Sequence, residues 1–267
     1  MKIFFLSALA IFFSTFLSAQ HSLQKRWESD SAILKGPESA TYDERSNTIY
    51  VSSMNAGAIV KMDAKGKIIK SDWVTGLTSN KGIGFYKNLL YTAETASVAV
   101  IDMEKSMIVK RIPIEGAVML NDLAVDEKGI VYVSDTRTGK VFRIENEKPE
   151  VYLENIAGAN GLLTIGTDLY IVGTATFQKV NSKKQITLIS DKFESGLDGI
   201  VTIAKDEFIL SNYKGIIYYV DKTGSVQTLL DTRGEKIMSN DISYDSKTKT
   251  LFVPAFGTNR VIAYSVK

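Results

Sequence analysis

The sequence predicts an all-β fold built from six similar repeats. A motif in which a polar or charged residue precedes a small or polar one opens each repeat, as in Leu120-Asn121-Asp122. An aromatic residue follows ten to twelve positions later, inside an apolar run such as Leu169-Tyr170-Ile171-Val172. Aromatic and β-branched residues favour strands, so both features indicate short strands that recur at one period.

We call the first residue of each opening motif a ring position. The ring positions are Glu38, Lys81, Asn121, Asn160, Asp198 and Asn240, at steps of 43, 40, 39, 38 and 42 residues. The aromatic residues that follow are Tyr50, Tyr91, Tyr132, Tyr170, Phe208 and Phe252. A period of about 40 residues is typical of four-stranded propeller blades. We therefore predict a six-bladed β-propeller, with another all-β repeat fold as the alternative.

The strands of each repeat can be placed in order. The second strands are apolar nearly throughout, as expected when neighbouring blades cover both faces of a sheet, so their aromatic residues are assigned to the core. Third and fourth strands follow, for example at residues 141–144 and 226–230. The sixth repeat ends at Lys267 without room for a fourth strand. We expect residues 24–34 to supply that strand and close the ring, because closure leaves no open sheet edge.

Composition limits the possible functions. With 267 residues, 45% of them hydrophobic, the chain can form one domain with a sizeable core, which we place at residues 20–267. The net charge of +2 comes from scattered residues, which argues against nucleic acid as a partner. There is no cysteine, and His21 is the single histidine, so thiolate or histidine chemistry is not expected.

The N-terminus has the pattern of a secretory signal peptide. Lys2 is followed by an apolar run at residues 3–17 and by Ser18-Ala19-Gln20, so we predict a signal peptide at residues 1–19. An uncleaved membrane anchor is the alternative. The mature protein is expected to be periplasmic or secreted, monomeric and free of the membrane.

The ring positions are the candidate functional site. First strands lie nearest the axis of a propeller, so the ring side chains should converge on one mouth of the central channel. The loops between second and third strands should bring Glu94 and Arg137 to the same end. Two carboxylates and three amides would form an oxygen-rich site of the type that hard divalent cations prefer. Alternatively, these residues only begin strands and cap turns.

Several opening motifs resemble those of a known family. Pro37-Glu38-Ser39, Leu120-Asn121-Asp122, Ala159-Asn160-Gly161-Leu162 and Leu197-Asp198-Gly199 are similar to the blade openings of the gluconolactonase and senescence-marker-protein (regucalcin-like) family. That family consists of six-bladed propellers with strictosidine-synthase-like relatives. The resemblance covers residues 36–267.

The resemblance implies a metal-dependent hydrolase that acts on lactones or similar small esters. Glu38, Asn121, Asn160 and Asp198 match the ligands of one divalent cation, for which calcium is expected first, with zinc or magnesium as alternatives. The cation would polarise the substrate carbonyl. Asp198 would act as the catalytic base that takes a proton from water.

Lys81 departs from this pattern, because its positive charge would repel a metal. It could instead pair with Asp122, Asp241 or Glu94, hold an acidic group of the substrate, or point to solvent. Arg137 could be a carboxylate clamp or an ordinary turn residue. We assign Lys81, Glu94, Arg137 and Asn240 as candidate substrate-binding residues. The alternative function is a non-catalytic propeller that binds a small molecule or a protein segment at the same mouth.

Overall fold

The computed structural model describes residues 21–267, which form six four-stranded antiparallel sheets. The inner strands contact one another in circular order around a central channel, which confirms the six-bladed β-propeller. The predicted signal peptide at residues 1–19 lies outside the described residues and stays a prediction.

Blades 1 to 3 each take four consecutive strands, and blade 1 starts at the second strand of the chain. Their strands are β2 (Pro37–Asp43), β3 (Thr48–Ser53), β4 (Ala58–Asp63) and β5 (Ile68–Thr75); β6 (Ile83–Tyr86), β7 (Leu89–Ala93), β8 (Ser97–Asp102) and β9 (Met107–Pro113); and β10 (Leu120–Val125), β11 (Val131–Asp135), β12 (Lys140–Glu145) and β13 (Lys148–Leu153).

Blades 4 and 5 follow the same order, and blade 6 combines both ends of the described chain. Their strands are β14 (Leu162–Ile165), β15 (Asp168–Val172), β16 (Phe177–Val180) and β17 (Ile186–Ser190); β18 (Leu197–Ala204), β19 (Glu207–Asn212), β20 (Ile216–Val220) and β21 (Val226–Asp231); and β22 (Ser243–Asp245), β23 (Thr250–Ala255), β24 (Arg260–Val266) and β1 (Leu23–Glu28).

The strand β1 closes the ring as predicted. It pairs antiparallel with β24, and the register runs from Leu23 opposite Val266 to Glu28 opposite Ile262. Only the first part of the predicted segment is a strand, because the chain turns after Glu28 to reach the first ring position. Every blade of the closed ring therefore has four strands.

The hydrophobic core is divided into six clusters, one between each pair of neighbouring blades. This arrangement covers both faces of every blade and explains why the second strands are apolar nearly throughout. Tyr50, Tyr170, Phe208 and Phe252 are buried, while Tyr91 and Tyr132 pack half-buried against their clusters. The aromatic residues are thus core residues.

A β-bulge interrupts the first strand in blades 1, 3 and 5. The bulged residues oppose Ser52, Ser134 and Ser211 on the second strands. Each serine hydroxyl accepts a hydrogen bond from the N–H of the residue after the ring position, at 2.8, 3.0 and 2.8 Å. A serine oxygen thus takes the place of a ladder carbonyl where the bulge breaks the pairing.

Helical structure within residues 21–267 is limited to short 3₁₀ turns at Met54–Ala56, Arg233–Glu235 and Phe256–Thr258. None of it is long or apolar enough to cross a membrane.

Candidate cation site at the channel mouth

The ring side chains lie at the end of the channel where the inner strands begin, which we call the mouth. Five of them are buried, with exposed fractions of 6% for Glu38, 8% for Asn121, 7% for Asn160, 3% for Asp198 and 7% for Asn240. Lys81 is half-buried. The ring is therefore a largely enclosed polar site.

Asp198 is held between two amides. The Nδ2 group of Asn160 donates to Asp198 Oδ1 at 3.1 Å, and the Nδ2 group of Asn240 donates to Asp198 Oδ2 at 3.2 Å. On another side of the ring, Asn121 Nδ2 donates to Thr136 Oγ1 at 3.0 Å. These bonds fix which way each amide faces.

The carbonyl oxygens of the same three amides have no partner. Asn121 Oδ1, Asn160 Oδ1 and Asn240 Oδ1 are buried, and no donor among the described residues reaches them. Buried polar atoms are nearly always hydrogen-bonded, because an unsatisfied one costs free energy. Two of these oxygens belong to the amides that hold Asp198, which makes the ring a candidate site for a positively charged group.

A second layer of carboxyl groups lies directly below the ring. Ser39 Oγ lies 3.0 Å from Glu38 Oε2 and 2.8 Å from Asp241 Oδ2, and Asp241 is within hydrogen-bonding reach of Asp122. Asp122 also accepts the N–H groups of Leu123 and Leu162, each at 2.7 Å. A cavity of about 370 Å³ extends from Asp122 and Asp241 toward the opposite end of the channel.

Burial controls the electrostatics of these carboxyl groups. It raises the pKa of Glu38 well above its usual range, and the charges of Asp198 and Asp241 raise it further. Burial and the charge of Asp241 raise the pKa of Asp198 to about 8. Burial raises the pKa of Asp241 to about 6 and holds that of Asp122 well above its ordinary value. Each carboxyl therefore binds a proton more tightly than it would in water, and a nearby cation would oppose this shift.

Lys81 points into the mouth rather than to solvent. Its ammonium group donates to the carbonyl oxygen of Leu120 at 3.0 Å, and its charge lowers the pKa values of Glu38 and Asp198. Within residues 21–267 it forms no ion pair with a carboxylate, so it does not occupy the carboxylate oxygens of the ring.

The donor set fits a divalent cation. Among the described residues no three Asp, Glu or His side chains come together as a metal site on their own, so the set depends on the amide oxygens. Glu38 and Asp198 with neutral amide oxygens match the oxygen ligands that calcium takes in proteins. The four buried carboxyls would be neutralised by a divalent cation, the ammonium of Lys81 and one proton shared by Asp122 and Asp241. This charge count leaves room for both Lys81 and a divalent cation.

The two other candidate substrate-binding residues lie in different settings. Glu94 is buried, and its carboxylate accepts Arg111 Nε at 2.8 Å, Ser97 Oγ at 2.9 Å and the N–H of Thr78 at 2.8 Å, which gives it a structural role. Arg137 is exposed in the turn between β11 and β12, and in the described part of the chain its side chain has no ion pair. Arg137 remains free to meet a ligand at this end.

The sequence indicated Asp122 and Asp241 only as alternative partners of Lys81, whereas the structure places them in the carboxyl layer below the ring. Each of the two residues directly follows a ring position, and this spacing is the only sequence feature that points to the channel. Their contact across the channel depends on how the blades approach one another. The three bulge serines were also missed, because the period alone does not show where a ladder is interrupted.

No protein-family model and no curated protein sequence matches the chain. Solved structures of the same architecture include a streptogramin B lyase, with a TM-score of 0.72 and 11% identity over 92% of this chain and 98% of that chain. A gluconolactonase from Xanthomonas campestris has a TM-score of 0.71 and 14% identity over 89% and 88% of the two chains. A luciferin-regenerating enzyme has a TM-score of 0.69 and 13% identity over 93% and 97%. These likenesses confirm the predicted resemblance at the level of the fold.

One of the similar proteins depends on a histidine. Replacing a single histidine by alanine makes virginiamycin B lyase from Staphylococcus aureus catalytically inactive. In this chain His21 is the only histidine, and it lies beside the ring of Tyr219 with its Nε2 3.7 Å from Glu207 Oε2. His21 is therefore not one of the ring residues.

Proposed function

We propose that this protein is an exported, cation-dependent hydrolase of lactones or similar small esters that acts at the channel mouth. The observation that carries the proposal is the set of three buried, unpartnered amide oxygens in the ring that also holds Glu38 and Asp198. The gluconolactonase fold supports the reaction class by analogy, since one fold hosts several chemistries.

Glu38, Asn121, Asn160 and Asp198 are the residues that would hold the cation. When bound, the cation would supply the positive charge that polarises the substrate carbonyl. Such a site also needs rigid ligands that are shielded from water. The ring meets this requirement, because its buried side chains exclude bulk water and are fixed by hydrogen bonds to neighbouring blades.

Asp198 is the candidate base. The amides of Asn160 and Asn240 hold both of its oxygens, so its orientation is set before a substrate arrives. Positive charge at the mouth lowers its pKa, as Lys81 already does, and makes its ionised form available to take a proton from water. Lys81 has one N–H on the Leu120 carbonyl and two further donors for an oxygen of the substrate.

A non-catalytic binding protein is the second candidate. The observation that favours it is the ammonium of Lys81 within the ring, which could hold an acidic ligand without any reaction. Binding without turnover would distinguish this function from the first.

The test combines metal analysis with hydrolysis assays on residues 20–267. We expect about one equivalent of calcium per chain and hydrolysis of aliphatic or sugar lactones, both lost in Asp198→Ala. Asp72→Ala, on the exposed outer strand of blade 1, is the matched control and should retain both. Unchanged metal content and activity in Asp198→Ala would refute the site. A calcium-loaded protein that turns over no lactone or ester would favour the binding function.

A further inference from the structure

The mouth has one more free amide oxygen than the family resemblance requires. The resemblance assigns Asn121 and Asn160 to the cation, yet Asn240 Oδ1 is buried and unpartnered in the same way. We propose that Asn240 supplies a fifth protein oxygen to the cation and thereby makes the site selective for calcium over magnesium. The inference rests on the proposed function only in assuming that a cation occupies the ring.

Asn240 and Asn160 approach Asp198 as a matched pair. Each donates its Nδ2 group to a different oxygen of the same carboxylate, at 3.2 and 3.1 Å. Because the oxygen and nitrogen of an amide are attached to one carbon, a nitrogen fixed on Asp198 places the amide oxygen beside that carboxylate. Both amide oxygens thus lie next to a ligand already assigned to the cation.

The backbone of Asn240 is fixed from two blades. Its N–H donates to the carbonyl of Pro254 in β23 at 3.0 Å, and its own carbonyl accepts the hydroxyl of Ser211 in β19 at 2.6 Å. Such preorganisation favours a ligand, since little freedom is lost when a cation binds.

A role in contacting substrate fits Asn240 less well than a role as a ligand. The residue is only 7% exposed. Lys81 does not satisfy its free oxygen, because no donor among the described residues reaches Asn240 Oδ1. A cation inside the ring would give this oxygen a partner without requiring a substrate.

The number of protein oxygens bears on which metal binds. Calcium takes six to eight oxygen ligands in flexible geometry, whereas magnesium needs a compact octahedron and usually keeps several waters. Zinc prefers nitrogen and sulfur ligands in a tetrahedral site. Glu38, Asp198 and three amides would supply five protein oxygens, a set that suits calcium and is too crowded for a hydrated magnesium ion.

The experiment measures the affinities of calcium and magnesium themselves, by competition with a fluorescent chelator. We expect Asn240→Ala to weaken calcium binding by about 10- to 100-fold, the range seen when a metal site loses a supporting group. Magnesium binding should change less, so the ratio of the two affinities should fall. Asn240→Asp keeps an oxygen in place and should restore calcium binding relative to Asn240→Ala.

Asn80→Ala is the matched control. Asn80 is also fully buried with a free Oδ1, but its Nδ2 donates to the carbonyl of Ala58 in β4 and to no ring residue. It should therefore leave calcium affinity unchanged. If Asn240→Ala does not fold, Asn240→Ser carries the same test, because its shorter side chain withdraws the oxygen.

The outcomes separate the two proposals. In one outcome, Asn240→Ala has a calcium affinity and a ratio of calcium to magnesium affinity within twofold of the unmodified protein. That result would overturn the role of Asn240 and leave the proposed function standing. Failure of the unmodified protein to bind any divalent cation would overturn both.

Discussion

Gly161 shows how closely the residues of the mouth are packed. A Cβ atom built at this position would lie 2.0 Å from the carbonyl oxygen of Asp198 on the neighbouring blade. Gly82 and Gly199 have similar constraints, with atoms of Asp122 and Asp241 at 2.5 and 2.6 Å from their built Cβ atoms. The glycine after a ring position therefore permits the blades to approach until their ring side chains meet.

Replacing Gly161 by alanine should disturb both stability and the site. The obstructing atom belongs to the backbone, so the strand carrying Asp198 must move, and overpacking of this kind costs about 1–3 kcal/mol or more. We expect a lower free energy of unfolding in urea denaturation and weaker calcium binding. Gly234→Ala is the control, since nothing lies within 4 Å of its built Cβ; an equal loss in both variants would contradict the packing argument.

At the scale of the strand, the bulges in blades 1, 3 and 5 change the direction of the ring residue and of the residue that follows it, compared with a strand that pairs regularly. These three strands carry Glu38, Asn121 and Asp198, whereas Lys81, Asn160 and Asn240 belong to the blades between them. The ring thus alternates between bulged and unbulged strands. Three of the four assigned cation ligands come from the bulged set.

Ser211→Ala tests the contribution of a bulge serine. Its hydroxyl accepts the N–H of Gly199 at 2.8 Å and donates to the carbonyl of Asn240 at 2.6 Å. Removing it leaves a buried N–H without a partner, so we expect a loss of about 1–3 kcal/mol in the free energy of unfolding.

Ser265→Ala provides the comparison, because its hydroxyl bonds only to the Gln24 carbonyl at 3.2 Å near the outer edge of blade 6. It should change stability by no more than about 0.5 kcal/mol. Similar values for the two serine variants would show that the bulge bond is not important.

For the whole molecule, the channel is where buried charge concentrates. Folding buries Glu38, Asp122, Asp198 and Asp241 within reach of one another. Their pKa values are higher in the folded state than in the unfolded chain, so the folded state binds protons more tightly. Without a cation, the stability gained from this tighter proton binding is fully present near pH 4. It is lost as the pH rises to about 8, the raised pKa of Asp198.

Thermal unfolding in a chelator should therefore show a lower Tm at pH 8.5 than at pH 5. Added calcium should raise Tm most at pH 8.5, where the carboxylates are ionised. Asp241→Asn removes one of the four charges and should reduce the pH dependence without calcium. A Tm that rises with pH in the chelator would contradict the charge balance inferred for the channel.

The features that repeat along the chain were accessible from the sequence. The ring positions and the aromatic residues such as Tyr50 recur at a fixed spacing because they occupy the same place in each blade. The fold, the strand order and the closing strand could therefore be predicted. Contacts across blades carry no local signal. The pairing of Glu94 with Arg111, the meeting of Asp122 with Asp241 and the direction of the Asn240 amide depend on how the inner strands approach the axis.

The closing strand places the two ends of the described chain side by side. The N–H of Ser22 donates to the carbonyl of Lys267 at 3.2 Å, and the N–H of Lys267 donates back to Ser22 at 3.0 Å. Both ends lie on the outer strands of blade 6, far from the mouth. A short peptide could join them and a new opening could be cut in an exposed turn, so the propeller should tolerate circular permutation with its ring of ligands intact.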